Sequence, residues 1–233
     1  MSLEFYLEDL KPYTCQVCHT GESTTTKLQR CSLCKVVRYC GVECQRKHWK
    51  QHKKGECEKL KKMRNFWIQD AQNIGDKNGT HLFIGATRVA TELGDHALAV
   101  EMFERAANTN YPIEGGHPNA MVYAAYHYEH GYGVKQNLEK AFQLYQRVLS
   151  HSEFGGENWG PACIGLSRIH EEGIIKEDKE TGSYSTVIEK NLELAIKYKV
   201  FSKSNPETDG DVKYLEQWWN ENRDKFMEQI ETS

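Results

Sequence analysis

Cys40-Gly41-Val42-Glu43-Cys44-Gln45-Arg46-Lys47-His48-Trp49-Lys50-Gln51-His52 repeats a metal-binding type of side chain every fourth residue, at Cys40, Cys44, His48 and His52. That spacing predicts a short helix with all four on one face, each a turn above the last. Two thiols and an imidazole aimed the same way have few uses other than holding a metal. Working outward, Cys15-x-x-Cys18 and Cys31-x-x-Cys34 lie upstream and Cys57 lies downstream. Seven of the eight cysteines therefore fall between residues 15 and 57.

Composition narrows the classes around that stretch. The chain has 233 residues, 39% hydrophobic and 27% charged, room for one large domain or two modest ones. Its apolar runs fall far short of the roughly 18 residues of a membrane helix, so no membrane association is expected. The first ten residues, MSLEFYLEDL, are acidic and lack the basic and apolar regions of a signal peptide. Cysteine pairs without an export signal favour metal thiolate over disulfide. The expected location is intracellular, in cytoplasm or nucleus. The net charge of −3 hides an asymmetry: residues 1–62 carry 13 Lys+Arg and 7 Asp+Glu, and the remainder carries 17 and 26. Seven thiolates on two dications would lower the front segment from +6 to about +3, which weakens any argument for nucleic acid built on its charge.

Cys15, Cys18, Cys31, Cys34, Cys40, Cys44, His52 and Cys57 make eight ligands, enough for two tetrahedral sites with no open position. Closed Cys/His sites are structural, whereas a catalytic zinc keeps a place for water. A segment this short cannot bury enough apolar surface to fold alone. Two structural zinc ions (Zn2+), each contributing an apparent ~10–16 kcal/mol, supply what the core lacks. The β-branched and aromatic residues of 36–40 predict a short strand leading into the helix.

These residues resemble the MYND zinc finger, through Cys15-x2-Cys18, Cys31-x2-Cys34, Tyr39-Cys40-x3-Cys44-Gln45, Trp49, His52 and Cys57. The resemblance implies interleaved sites, Cys15, Cys18, Cys40 and Cys44 on one ion and Cys31, Cys34, His52 and Cys57 on the other. Spacing by itself is equally compatible with a sequential arrangement. His48 shares the ligand face with His52, and the family pattern favours His52. The His52-x4-Cys57 gap is one residue longer than is common in the family, an excess that Gly55 can absorb.

The resemblance further implies protein–protein recognition, with Gln45 and Trp49 at positions that line a groove for proline-rich peptides of the PxLxP kind. Such a ligand is already extended and loses little entropy on docking against an aromatic wall. Packing of Trp49 inside the finger is the competing reading. The alternative function is that of a nucleic-acid-associated regulator using the basic segment 46–64, where Lys47, Lys50, Lys53, Lys54, Lys59, Lys61, Lys62 and Arg64 make a cationic run. A lysine-rich run is usually a solvated face, and no set of base-reading side chains accompanies it.

Residues 58–74 carry Leu60, Met63, Phe66, Trp67 and Ala71 at helical steps, and a glycine-flanked break follows at 75–79. From Thr80 the chain repeats itself. Ala99 and Phe103 align with Ala141 and Tyr145 at an offset of 42, and a third copy begins at Asn191. A further helix precedes each, at 82–93, 120–130 and 162–172, two of them opening after Pro118 and Pro161. Helix pairs at such a period mark an α-solenoid. They resemble Sel-one-like repeats, relatives of the tetratricopeptide repeat, best in the copy with Ala120, Ala124, Ala125, Tyr128, Gly131-Tyr132-Gly133-Val134, Lys140-Ala141 and Tyr145. A polar insertion at 174–189 interrupts the third copy. Residues 211–231 read as a capping helix with a stripe of Val212, Leu215, Trp218 or Trp219, Phe226 and Ile230.

The expected architecture is mainly α: a 1–14 extension, a two-zinc finger at 15–57, a connecting helix and turn at 58–79, a short solenoid at 80–203 and a capping helix at 204–233. The expected role is a zinc-binding adaptor between proteins. Many MYND proteins are methyltransferases with a SET domain, but the chain lacks an Asn-His-x-Cys-x-Pro-Asn motif and a glycine-rich cofactor loop. Cys163 sits in a helical stretch with no base beside it. No enzyme is expected.

Overall fold

The computed structural model describes residues 13–21, 26–73, 79–108, 116–150, 156–177, 184–203 and 212–231. The extension before Tyr13, most of the break at 75–79 and the 204–211 stretch lie outside them.

The finger is built from two knuckles, a small hairpin and a helix. In Cys15–Cys18 and Cys31–Cys34 the chain turns back on itself the same way. The N–H of His19 donates to Cys15 O at 2.9 Å and that of Lys35 to Cys31 O at 3.0 Å, with both residues at positive φ. β1 (Gln29–Arg30) pairs antiparallel with β2 (Arg38–Tyr39), so the predicted strand exists but is only two residues long. α1 (Val42–Gln51) runs into a kinked turn, His52–Glu56, and then α2 (Cys57–Asn73). Gly55, at φ +138°, breaks the helical path there. Lys54, at ψ 16°, leaves the helical range beside it, so the chain kinks between two helices within the His52-x4-Cys57 gap, and Gly55 supplies the left-handed backbone that the kink needs.

The repeats follow as α3 (Thr80–Thr91) with α4 (His96–Ala107), α5 (Pro118–His130) with α6 (Leu138–Ser150), and α7 (Gly156–Glu172) with α8 (Leu192–Phe201). Each helix packs on its predecessor, and α5 also touches α7. The second helix of every pair opens on an Asx cap. Asp95, Asn137 and Asn191 accept from the N–H of Leu98, Lys140 and Leu194 at 3.4, 3.0 and 2.9 Å, satisfying donors the helix leaves open. The repeated alanines Ala99, Ala141 and Ala195 are fully buried, which lets neighbouring helix axes approach closely.

Two sequence expectations are corrected. α7 opens at Gly156 rather than after Pro161, so Pro161 lies inside it. Trp159, buried with Cys163, Phe201, Leu215 and Trp219, rewards the earlier start. The insertion at 174–189 contains an antiparallel hairpin, β3 (Ile174–Glu177) with β4 (Tyr184–Ile188), because its Ile, Val, Thr and Tyr residues suit a strand. α9 (Val212–Glu231) covers the α7–α8 end through Leu215 and Trp219, while Trp218 is only partly buried. The side chains of Val212, Phe226 and Ile230 lie outside the described residues.

The finger docks on the first repeat. Asp95, 1% exposed, takes Arg30 at 2.7 Å and Arg64 at 3.3 Å. The His96 N–H donates to Tyr13 Oη at 2.8 Å. Arg38 lies over the Tyr13 ring, 3.2 Å from its centroid, and donates to Gly94 O at 3.4 Å.

Candidate metal centre

The hairpin and the helix fold the knuckles toward opposite ends of one helical run. Cys15, Cys18, Cys40 and Cys44 converge in one group, and Cys31, Cys34, His52 and Cys57 in another, the donor atoms of each within 4.8 Å of one another. The grouping is interleaved. α1 gives Cys44 to one group, and the kinked turn and α2 give His52 and Cys57 to the other.

The separations fit zinc. Four ligands arranged tetrahedrally at Zn–S bonds of about 2.3 Å stand about 3.8 Å apart. Cys18 and Cys40 sulfurs are 3.5 Å apart, Cys40 and Cys44 3.6 Å, Cys31 and Cys57 3.9 Å, and Cys34 Sγ lies 3.6 Å from His52 Nε2. The groups differ in access: the histidine-containing one is buried throughout, whereas Cys18 is exposed and Cys40 and Cys44 are partly so. One all-cysteine cluster and one of three cysteines with a histidine, in a MYND finger, are consistent with two structural zinc ions.

The thiols are not equivalent. Burial disfavours the Cys15 thiolate, yet the backbone N–H groups of Cys18, Cys40 and Val17 draw its pKa down to about 6. Cys31 follows the same balance, with Cys34 and Leu33 amides, to about 7. The neighbouring Cys18 and Cys44 sulfurs push Cys40 up to about 12, and burial followed by Cys31 does the same to Cys57. The first cysteine of each knuckle is thus drawn toward thiolate, whereas Cys40 and Cys57 need a cation to ionise beside it.

His52 presents Nε2 to the thiols and donates from Nδ1 to Glu56 Oε2 at 2.8 Å. A carboxylate behind a ligating imidazole fixes its tautomer and orientation. His48 turns elsewhere, with Nδ1 3.0 Å from Tyr39 Oη and Nε2 3.6 Å from Glu56. Sequence reading passes over Glu56, although its i+4 position from His52 is a visible signal. It also misses the Asp95 anchor, whose arginines are 31 and 65 residues away.

Val42, Gln45 and Trp49 share a neighbouring face of α1. Val42 is exposed and the other two are partly so. Trp49 packs its inner edge on the finger core, with its ring tilted against His52 at 6.2 Å. Lys47, Lys50, Lys53, Lys54, Lys59, Lys61 and Lys62 are exposed, and Arg64 is engaged with Asp95. Cys163 is buried, and that burial pushes its thiol far up.

Comparison with known proteins agrees with this architecture. Residues 11–57 match the MYND finger, and residues 89–111 and 118–147 match the Sel1 repeat. The chain is 44% identical over 60 residues to the human (Homo sapiens) histone-lysine N-methyltransferase SMYD3, covering 26% of this chain and 13% of that protein. It is 31% identical over 94 residues to ubiquitin carboxyl-terminal hydrolase 16 of Arabidopsis thaliana, covering 37% and 9%. With the Mus musculus histone-lysine N-methyltransferase Smyd1 it shares 30% over 127 residues, covering 51% and 26%. The chain thus spans about a quarter or less of the length of these relatives. No solved structure matches it. No described helix is long and apolar enough to cross a membrane. A MYND finger joined to Sel1 repeats supports a zinc-binding adaptor for protein–protein interaction.

Proposed function

We propose that the chain is an intracellular adaptor, of cytoplasm or nucleus, whose finger at 15–57 takes a proline-rich peptide and whose repeats at 80–203 hold a second protein. The connector at 58–79 and the cap at 204–233 serve that body. One zinc is held by Cys15, Cys18, Cys40 and Cys44, and the other by Cys31, Cys34, His52 and Cys57. The observation that carries the reading is the division of α1 into two faces. One is turned to the thiols, and the other presents Val42, Gln45 and Trp49 outward. A partly exposed indole anchored by its inner edge is a rigid wall for a preformed extended ligand. In this reading the zinc sites are structural, since four donors around each ion leave no position for water, and burial keeps the Cys163 thiol protonated. The methyltransferase and hydrolase relatives share too little of their length for their activities to be carried over.

The test is an array of proline-rich peptides probed with the zinc-loaded protein. Binding to the array with loss in Trp49→Ala supports the groove, and retention in that variant removes it. The exposed lysines of 46–64 favour one second reading, a nucleic-acid-associated regulator. Affinity for oligonucleotides of any sequence, falling steeply with salt, would establish that reading in place of the first.

A further inference from the structure

The docking of finger on repeat creates a surface that neither part has alone. A groove of about 790 Å³ opens where Tyr13, Lys27, Arg30 and Arg38 of the finger face Tyr132 and Lys135 of the turn after α5. Four cationic side chains line it, and among the described residues no lining side chain is Asp or Glu. The carboxylate beneath, Asp95, is buried and shared between Arg30 and Arg64, so it offsets less than the guanidinium charge around it. Two of the cations are held in place. Arg30 is pinned by Asp95, and Arg38 is stacked on Tyr13 with a hydrogen bond to Gly94 O. On the opposite wall Tyr132 is stacked with His130 at 5.8 Å, their planes 7° apart. The turn is seated tightly on α4, where a Cβ on Gly133 would lie 2.4 Å from the Ala97 nitrogen.

We propose that this groove binds a short acidic peptide, a segment of a partner protein bearing clustered Asp and Glu side chains. Pre-set arginines bind carboxylates with little ordering cost, and two tyrosines offer apolar walls to the peptide's backbone and stems. A peptide fits better than a nucleic acid for a reason of extent. Only four cations line the groove, and the chain beyond residue 62 carries 26 acidic against 17 basic residues. A long polyanion leaving the groove meets that acidic body, whereas a short segment does not. The surface is separate from the Gln45–Trp49 face and from the lysines of α1 and α2, so the proposal stands whether or not the proline-rich reading does.

The test uses the full-length zinc-loaded protein and a fluorescein-labelled peptide of alternating Glu and Asp around one Tyr, followed by anisotropy. A control peptide has Gln and Asn in place of the acids. Expected are saturable binding of the acidic peptide only, weakening of about tenfold or more in Lys27→Glu/Lys135→Glu, and no change in Lys59→Glu/Lys61→Glu. Zinc content and circular dichroism report the fold of each variant. Should charge reversal disturb it, Lys27→Gln/Lys135→Gln removes the charges with the same expected direction. Equal binding of acidic and control peptides, or wild-type affinity in the charge variants, overturns the proposal. So does a single-stranded oligonucleotide that binds more tightly than the peptide and is lost in the same variants, which would make the groove a nucleic-acid site.

Discussion

His127 shows how much one buried side chain reveals about conditions. It is fully buried on α5, and its Nδ1–H donates to Tyr132 O at 2.8 Å. His130, three residues on, is exposed, with its Nδ1 3.0 Å from Tyr126 O. Three residues apart on a helix are neighbours on its surface, but here the core takes one and solvent the other. Burial first, then the positive charge of nearby histidines, lowers the His127 pKa to about 4, against the opposing Tyr132 hydrogen bond. An unfolded chain takes up that proton near the ordinary value of about 6.5. Between those two pH values the unfolded state binds more protons, so stability falls as pH drops through this window and levels off below it. The shift corresponds to about 3 kcal/mol between pH 7 and pH 4. Urea midpoints measured at steps from pH 7 to 5 should decline for wild type and decline less for His127→Gln, with acid effects on the zinc sites cancelling in the comparison. Parallel profiles for the two proteins would show that His127 does not carry the pH dependence.

Helix on helix, the repeat body depends on missing side chains as much as on present ones. A Cβ added to Gly165 of α7 would lie 2.2 Å from the Tyr145 ring of α6. That ring cannot swing away freely, because Tyr145 Oη donates to Glu129 Oε2 at 2.7 Å. Arg168 holds the same carboxylate through Nη2 at 2.8 Å. Three helices are tied there at one nearly buried carboxylate, and Tyr128, Lys140 and Glu104 tie α4, α5 and α6 at a second point. Gly165→Ala should therefore cost about 1–3 kcal/mol of overpacking, lowering the thermal midpoint by about 2–10 °C with zinc content unchanged. An unaltered midpoint would mean that α6 and α7 separate easily. The period-42 pairing of Ala99 with Ala141 and the Asx residue ahead of each second helix are readable in the sequence because they are local and repeated. The 174–189 hairpin reads as polar insertion since its apolar residues are few and flanked by charge. The start of α7 is misplaced by sequence because proline is a common first-turn residue, and nothing local reveals that Trp159 is wanted by α8 and α9.

In the whole molecule, the finger is a docked part rather than a bead on a connector, and that is beyond the sequence's reach. The spacing of seven cysteines and His52 shows that eight donors exist, and the grouping of those donors comes with the resemblance. No spacing rule joins Arg30 to Asp95 across 65 residues. The contact has a thermal consequence. Removing zinc should unfold residues 15–57, since a segment of that size has little core without its metals. Most helical signal should persist, because the repeats keep their own buried core. They would not keep their full stability, however. Asp95 would lose Arg30, the His96 N–H would lose Tyr13 Oη, and the apolar contact of Val36 with the repeat core would open to water. With Arg30 partly exposed, the net loss is about 1–2 kcal/mol, a fall of about 2–8 °C in the midpoint of the remaining helix transition. Asp95→Asn keeps a side-chain cap for α4 but removes the charge, so chelation should shift its midpoint less than it shifts wild type. The experiment is circular dichroism at 222 nm through a thermal ramp, with a strong chelator and a thiol reductant, on both proteins. Equal midpoints with and without metal would mean that the finger touches the repeats without stabilising them. Collapse of nearly all helical signal on chelation would mean the opposite error, that the repeats have no independent fold and the zinc ions organise the chain from end to end.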